Sequence, residues 1–231
     1  MIGTIFNVCM ILVGSFVGSY FKKGIKPAYN EILTQALGLA AIAIGLNAVV
    51  QHMPKSHYPV LFIVSLAVGG LLGQWLNLEK RFDNLVARFS KPNKNGGNNL
   101  AEGLATGILL YCIGSLSILG PIQAALNKDY TFLFTNGMLD GITSIVLAST
   151  FGIGMALAAV AVFTWQGSIY LIAILLQNSI NNDMITELTI VGGILIMASG
   201  LGLLNIKKIK VLNLLPSLVV PIVVIAIMQL F

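Results

Sequence analysis

The sequence predicts an all-α fold: a polytopic transmembrane helix bundle of about eight spans. Three observations carry that prediction. Hydrophobic residues make up 57% of the 231 and charged residues only 9%, whereas a soluble domain carries about a quarter charged. Apolar runs near the length needed to cross a bilayer, about 20 residues, recur along the whole chain. Lys and Arg fall in short clusters between those runs, not in a long stripe of the kind that binds nucleic acid. With a mean hydropathy of +0.91, the natural solvent of this chain is lipid.

The candidate spans, in order, cover residues 2–21, 30–50, 59–78, 100–124, 131–150, 153–178, 184–205 and 211–231. The first is apolar from Ile2 with no basic segment before it, and reads as a retained span, not a cleaved signal. The breaks carry charge, Pro or Asn, except that Phe151, Gly152 and Ile153 alone divide the fifth run from the sixth. Eleven of the 13 basic residues lie after spans one, three and seven, leaving Lys55 and Lys128 opposite. The positive-inside rule then places the eleven in the cytoplasm and both termini outside.

Residues 1–231 read as a single transmembrane domain. In the third loop, Phe82, Leu85, Val86 and Phe89 recur at helical spacing and predict an amphipathic interfacial helix over 78–90. The Gly- and Asn-rich residues 91–99 read as a flexible linker between halves. Two short echoes raise an internal repeat: LNLEKRF (76–82) with LNIKKIK (204–210), and VGSFVG (13–18) with IGSLSILG (113–120). They imply different schemes, and each is also the way a helix ends or packs.

Asp140 is the leading candidate for chemistry. The other seven acidic residues sit in loops or near predicted helix ends, while Asp140 lies well inside an apolar run. A charge at that depth costs at least about 2.5–3.5 kcal/mol, so such residues face a cavity or a partner. On a helix Asn136 lies at i−4, Thr143 at i+3 and Ser144 at i+4. One face thus offers a carboxylate, an amide and two hydroxyls, a set suited to a proton, Na⁺ or a polar solute. The plainer alternative is a structural Asp bonded to neighbouring helices.

Helix breaks come next, because transporters build sites from unwound backbone. Thr164, Trp165, Gln166 and Gly167 interrupt the sixth run, Gly192 and Gly193 lie within the seventh, and Pro216 and Pro221 predict kinks in the eighth. For residues 153–178 the sequence favours one kinked crossing. A re-entrant hairpin tipped at Trp165–Gly167 is the alternative, and it puts Lys207, Lys208 and Lys210 outside. GxxxG pairs at Gly14/Gly18, Gly69/Gly73, Gly103/Gly107 and Gly137/Gly141 predict tight packing inside the chain, or else a dimer seam.

No HExxH, P-loop or GxSxG is present, so neither an enzyme nor a cofactor is predicted. His52 and His57 in a short outer loop make a poor metal site, and Cys9 and Cys112 sit in apolar runs with no disulfide or zinc spacing.

The ordered set GTxxN (Gly3, Thr4, Asn7), GSxxG (Gly14, Ser15, Gly18), CIGSLSILGPIQ (112–123), LDGITSIVLASTFGIG (139–154), WQG (165–167), VGGILI (191–196) and LLP (214–216) resembles the YdfK/YqgA-like family of bacterial membrane proteins of unknown function. The resemblance spans essentially the whole chain. It implies a small bacterial inner-membrane protein, and places Asn7 and Gln123 beside Asp140 and Gln166 among the expected polar positions.

The function predicted is a small secondary transporter, homo-oligomeric and in contact with lipid, moving H⁺, Na⁺ or a small polar solute. Asp140 would bind the ion or solute, with Asn136, Thr143 and Ser144 completing the coordination and the Gln166 break opposite. A non-transporting scaffold and a passive channel are the alternatives.

Overall fold

The computed structural model describes residues 1–20, 27–81, 84, 104, 107–108, 110–112, 115–177, 180–207 and 209–229, and all regular structure among them is helical. The helices are α1 (Ile2–Tyr20), α2 (Pro27–His52), α3 (Leu61–Leu76), α4 (Ser115–Leu126), α5 (Thr131–Phe151), α6 (Ala158–Leu176), α7 (Asn182–Leu203), α8 (Val211–Leu214) and α9 (Val219–Met228). Seven described helical segments are long and apolar enough to cross a bilayer, and α4 is a shorter apolar helix within the predicted fourth span. Large apolar side chains stand bare on their outer surfaces, with Leu71, Trp75 and Leu175 between 73% and 80% exposed. Contiguous apolar surface of that kind suits lipid and not water.

Local chemistry sets the helix ends. The Asn181 side chain accepts from the Met184 amide at 2.8 Å and caps α7. Asp129 Oδ1 accepts from the Thr131 amide at the start of α5, and Gly152, with φ of 86°, ends it. Asn77 and Asn205 both take positive φ, 49° and 56°, where α3 and α7 end. The LN echo at 76–77 and 204–205 is therefore a shared helix terminus, since Asn tolerates the left-handed region better than most residues.

The chain forms two compact units, Met1–Leu33 with Asp83–Leu175 and Thr34–Phe82 with Leu176–Phe231. The units are interleaved in sequence. The predicted linker at 91–99, like most of the predicted interfacial helix at 78–90, lies outside the described residues.

In the first unit α1 runs parallel to α5. A Cβ on Gly3 would lie 2.6 Å from Leu133, one on Gly14 2.2 Å from the Gly141 carbonyl oxygen, and one on Gly18 2.2 Å from the Ile145 carbonyl oxygen. Ile11, Tyr111, Cys112, Ala158, Ala159 and Val162 form a buried apolar cluster that ties α6 to the same pair. In the second unit α2 runs antiparallel to α7, with Gly45 against Gly193 and Gly38 against Gly200. There α3 runs antiparallel to the last segment, with Gly73 on Asn213, Gly69 on Ser217, and Leu61 in one cluster with Ile225.

Two predicted breaks are corrected. α6 runs unbroken through Thr164–Gly167, so there is neither a break nor a hairpin tip at Trp165. A single Gly, Thr or Trp costs a helix only about 1 kcal/mol or less. The Thr164 and Ser168 hydroxyls also fold back onto the carbonyls of Val160 and Trp165. α7 is likewise unbroken at Gly192–Gly193, where Gly193 serves close approach to α2 instead. The predicted irregularity does occur at Pro216, within the 3-10 segment Leu215–Leu218. Gly14/Gly18, Gly69/Gly73 and Gly137/Gly141 all pack inside their own unit, and Gly103 lies outside the described residues.

Candidate functional site

Two matching stripes build the site in the first unit. On α1 the buried residues are Gly3, Thr4, Asn7, Ile11, Gly14, Ser15 and Gly18, a 3–4 spacing that keeps them on one face. On α5 Asn136, Gly137, Asp140, Gly141 and Ser144 recur in the same way and are buried as well. The glycines let the two backbones touch, and the polar residues beside them are shut between the helices. A Cβ on Gly137 would meet the Asn7 backbone at 3.0 Å, so the Asn7 turn of α1 lies level with the Asn136–Asp140 turn of α5.

Asp140 is 6% exposed. Its Oδ2 accepts two hydrogen bonds, from Asn7 Nδ2 at 2.9 Å and from Asn136 Nδ2 at 2.8 Å. Bonds from amides to a charged acceptor are the strong kind, each contributing about 1.5–3 kcal/mol net. They also fix the amides, because turning either round would set its oxygen against the carboxylate. The Asn7 Oδ1 is left buried without a partner.

The other predicted residues are placed differently. Ser144 is buried, but its hydroxyl pairs with the Tyr111 hydroxyl at 2.8 Å and not with Asp140. Thr143 is half-buried and makes no hydrogen bond to Asp140, so neither hydroxyl completes the predicted coordination. Gln166 lies in an intact helix, fully buried, its Nε2 donating to Ser117 Oγ at 3.2 Å and its Oε1 left without a partner. Gln123 is buried near the end of α4, where its Oε1 accepts from Asn127 Nδ2 at 2.6 Å.

Sequence reasoning missed Thr4 and Ser15, whose buried hydroxyl oxygens have no partner. Their spacing with Asn7 on the glycine face of α1 was the available signal. It also missed a second buried acid. Glu187, assigned to a helix end, is 1% exposed in α7. One of its carboxylate oxygens accepts from the Ser56 hydroxyl and the other, Oε2, is buried without a partner. Nearby in sequence, Asp183 pairs with His57 Nδ1 at 3.0 Å. Among the described residues no group of three or more His, Cys, Asp or Glu is placed to hold a metal ion.

Residues 2–226 match the family model described as "Protein of unknown function (DUF554)". The chain is 64% identical over 231 residues, all of this chain and 98% of the relative, to "Uncharacterized membrane protein YdfK" of Bacillus subtilis (strain 168). It is 25% identical over 223 residues, 94% of this chain and 93% of the relative, to "Uncharacterized protein YqgA" of Escherichia coli (strain K12). No solved structure matches. The chain belongs to the DUF554 family, as the sequence motifs implied, and it is a membrane protein.

Proposed function

We propose that this member of the DUF554 family is a small secondary transporter of the bacterial inner membrane, with Asp140 as its ion or substrate site. One observation carries the reading: a carboxylate at mid-helix depth, held by two carboxamides between parallel helices that touch through glycine. A membrane-embedded acid without a cationic partner is costly, and the usual return on that cost is a transported ion or solute. The eleven clustered basic residues support an orientation with both termini outside. Eight helices make a thin wall around a moving site, which favours a homo-oligomer. A scaffold built on GxxxG seams has less support, because the described glycine pairs are used in packing within the chain.

The test is substrate-driven current or uptake in proteoliposomes, wild type against Asp140→Asn. The substitution keeps the shape of the side chain and removes its charge. At least a tenfold loss is expected at equal folded protein; undiminished current sinks the role of Asp140.

A further inference from the structure

We infer that the Asp140 cluster binds a dehydrated monovalent metal cation, coordinated by side-chain oxygens of α1 and α5. The inference rests on reading Asp140 as an ion or substrate site and narrows that reading to one class of ligand. Among the described residues of this unit, the buried side-chain polar atoms without a partner are all oxygens: Thr4 Oγ1, Asn7 Oδ1, Ser15 Oγ and Gln166 Oε1. Each is a buried acceptor, and leaving one unsatisfied costs about 1–3 kcal/mol. Native interiors rarely tolerate several together, and a cation is a ligand that such oxygens can hold.

Two of these oxygens, those of Thr4 and Asn7, belong to the stretch of α1 that meets Asp140. Thr4 is one turn before Asn7 on the same face of α1, and Asn7 is bonded to the carboxylate. Gln166 stands on α6, which meets α1 through the buried cluster that Ile11 shares with Val162. A Cβ on Gly167 would lie 3.8 Å from the Met1 side chain, so the turn after Val162 meets the start of α1. Ser117, which takes the Gln166 amide, is one turn before Gly120, and Gly120 packs on the same Leu133 that covers Gly3. Ser15 stands farther along the stripe, eleven residues or roughly 16 Å past Thr4.

The donor set selects the class. An anion requires surplus N–H donors, and among the described residues of this unit no buried side-chain nitrogen is unpartnered, while the cluster carries a carboxylate. A proton satisfies one oxygen and leaves the others bare. Divalent cations are hard ions that draw several carboxylates or keep several waters, and this cluster holds one carboxylate. One negative charge with neutral amide and hydroxyl oxygens matches a single positive charge stripped of water.

The experiment is equilibrium unfolding of the detergent-purified full chain in LiCl, NaCl, KCl or choline chloride at matched ionic strength, which requires no flux. A ligand that binds only the folded state stabilises it by mass action. At least one alkali cation is expected to raise the midpoint by roughly 5–10 °C over choline at a hundredfold excess over its Kd. Asp140→Asn should abolish that difference, and Thr4→Val, which removes one oxygen at constant shape, should weaken the apparent affinity about tenfold while raising the choline midpoint, because a buried unsatisfied hydroxyl is gone. Equal midpoints in all four salts overturn the inference, as does a shift that survives Asp140→Asn. So does a midpoint that follows pH and ignores the metal, or one raised by CaCl₂ alone. Cation-dependent stability without flux would overturn transport and keep the cation site; Asp140-dependent flux without cation-dependent stability would do the reverse.

Discussion

The helix pairs α1–α5 and α2–α7 use the same packing device for different ends. In each, glycines bring two backbones into contact: a Cβ on Gly14 would sit 2.2 Å from the Gly141 carbonyl oxygen, and one on Gly45 2.5 Å from that of Gly193. Around Gly45 and Gly193 the side-chain neighbours are Ala48, Val49 and Met197, all apolar. Around Gly14 and Gly137 the contact encloses Asn7, Asn136, Asp140 and Ser144. Close approach through small residues therefore marks helix packing wherever it occurs. What distinguishes a candidate site is the polar matter that the approach buries.

Glycine substitutions test that distinction most strongly. Gly14→Ala and Gly45→Ala each force a methyl group onto backbone that cannot rotate away, and each should destabilise by about 1–3 kcal/mol, as overpacking does. Unfolding in detergent measures it. The pairs should separate in activity per folded molecule: Gly14→Ala displaces the helix carrying Asn7 and should lose it, whereas Gly45→Ala should retain it. Equal losses of activity would break the comparison.

A finer probe is the amide–carboxylate bond. Asn136→Ala should cost about 1.5–3 kcal/mol of stability, the range for a hydrogen bond to a charged group. In an Asp140→Asn background the cost should fall below about 1 kcal/mol, since the charge is gone. The double-mutant cycle reports the difference. A cycle that closes to zero would mean that Asn136 packs beside Asp140 without holding its charge.

Much of the fold was legible because membrane helices are governed by few rules. Run length gave the spans, and charge clusters gave the loops. The site was legible through cost: Asp140 stands out since lipid penalises it, and Asn136 follows by helical spacing. Thr143 and Ser144 share that spacing but not the outcome, because side-chain direction and the competing hydroxyl of Tyr111 decide the partner. Glu187 escaped notice because it lies only four residues beyond Asp183 in the opening turns of α7, where acids are ordinary on helix-dipole grounds. Its hydrogen-bond partner is Ser56, 131 residues away in sequence, and no local pattern reports such a contact. The breaks foreseen at Gln166 and Gly193 failed for a related reason, since composition signals a weak helix and tertiary contacts decide whether it breaks.

The smallest effect is expected at Gly202, and it isolates what the glycine pattern means. Gly200 and Gly202 stand two residues apart near the end of α7, so they point in different directions. A Cβ on Gly200 would lie 2.7 Å from the Gly38 carbonyl oxygen, while one on Gly202 meets nothing within 4 Å. If glycine is required only where backbones touch, Gly202→Ala should leave stability unchanged or raise it by at most about 1 kcal/mol through helix propensity. Gly200→Ala should destabilise in the overpacking range of about 1–3 kcal/mol. Both are read from the same unfolding curves. A marked loss at Gly202 would mean that its open face is covered by something outside the single chain, and that residue would then point to the surface where copies meet.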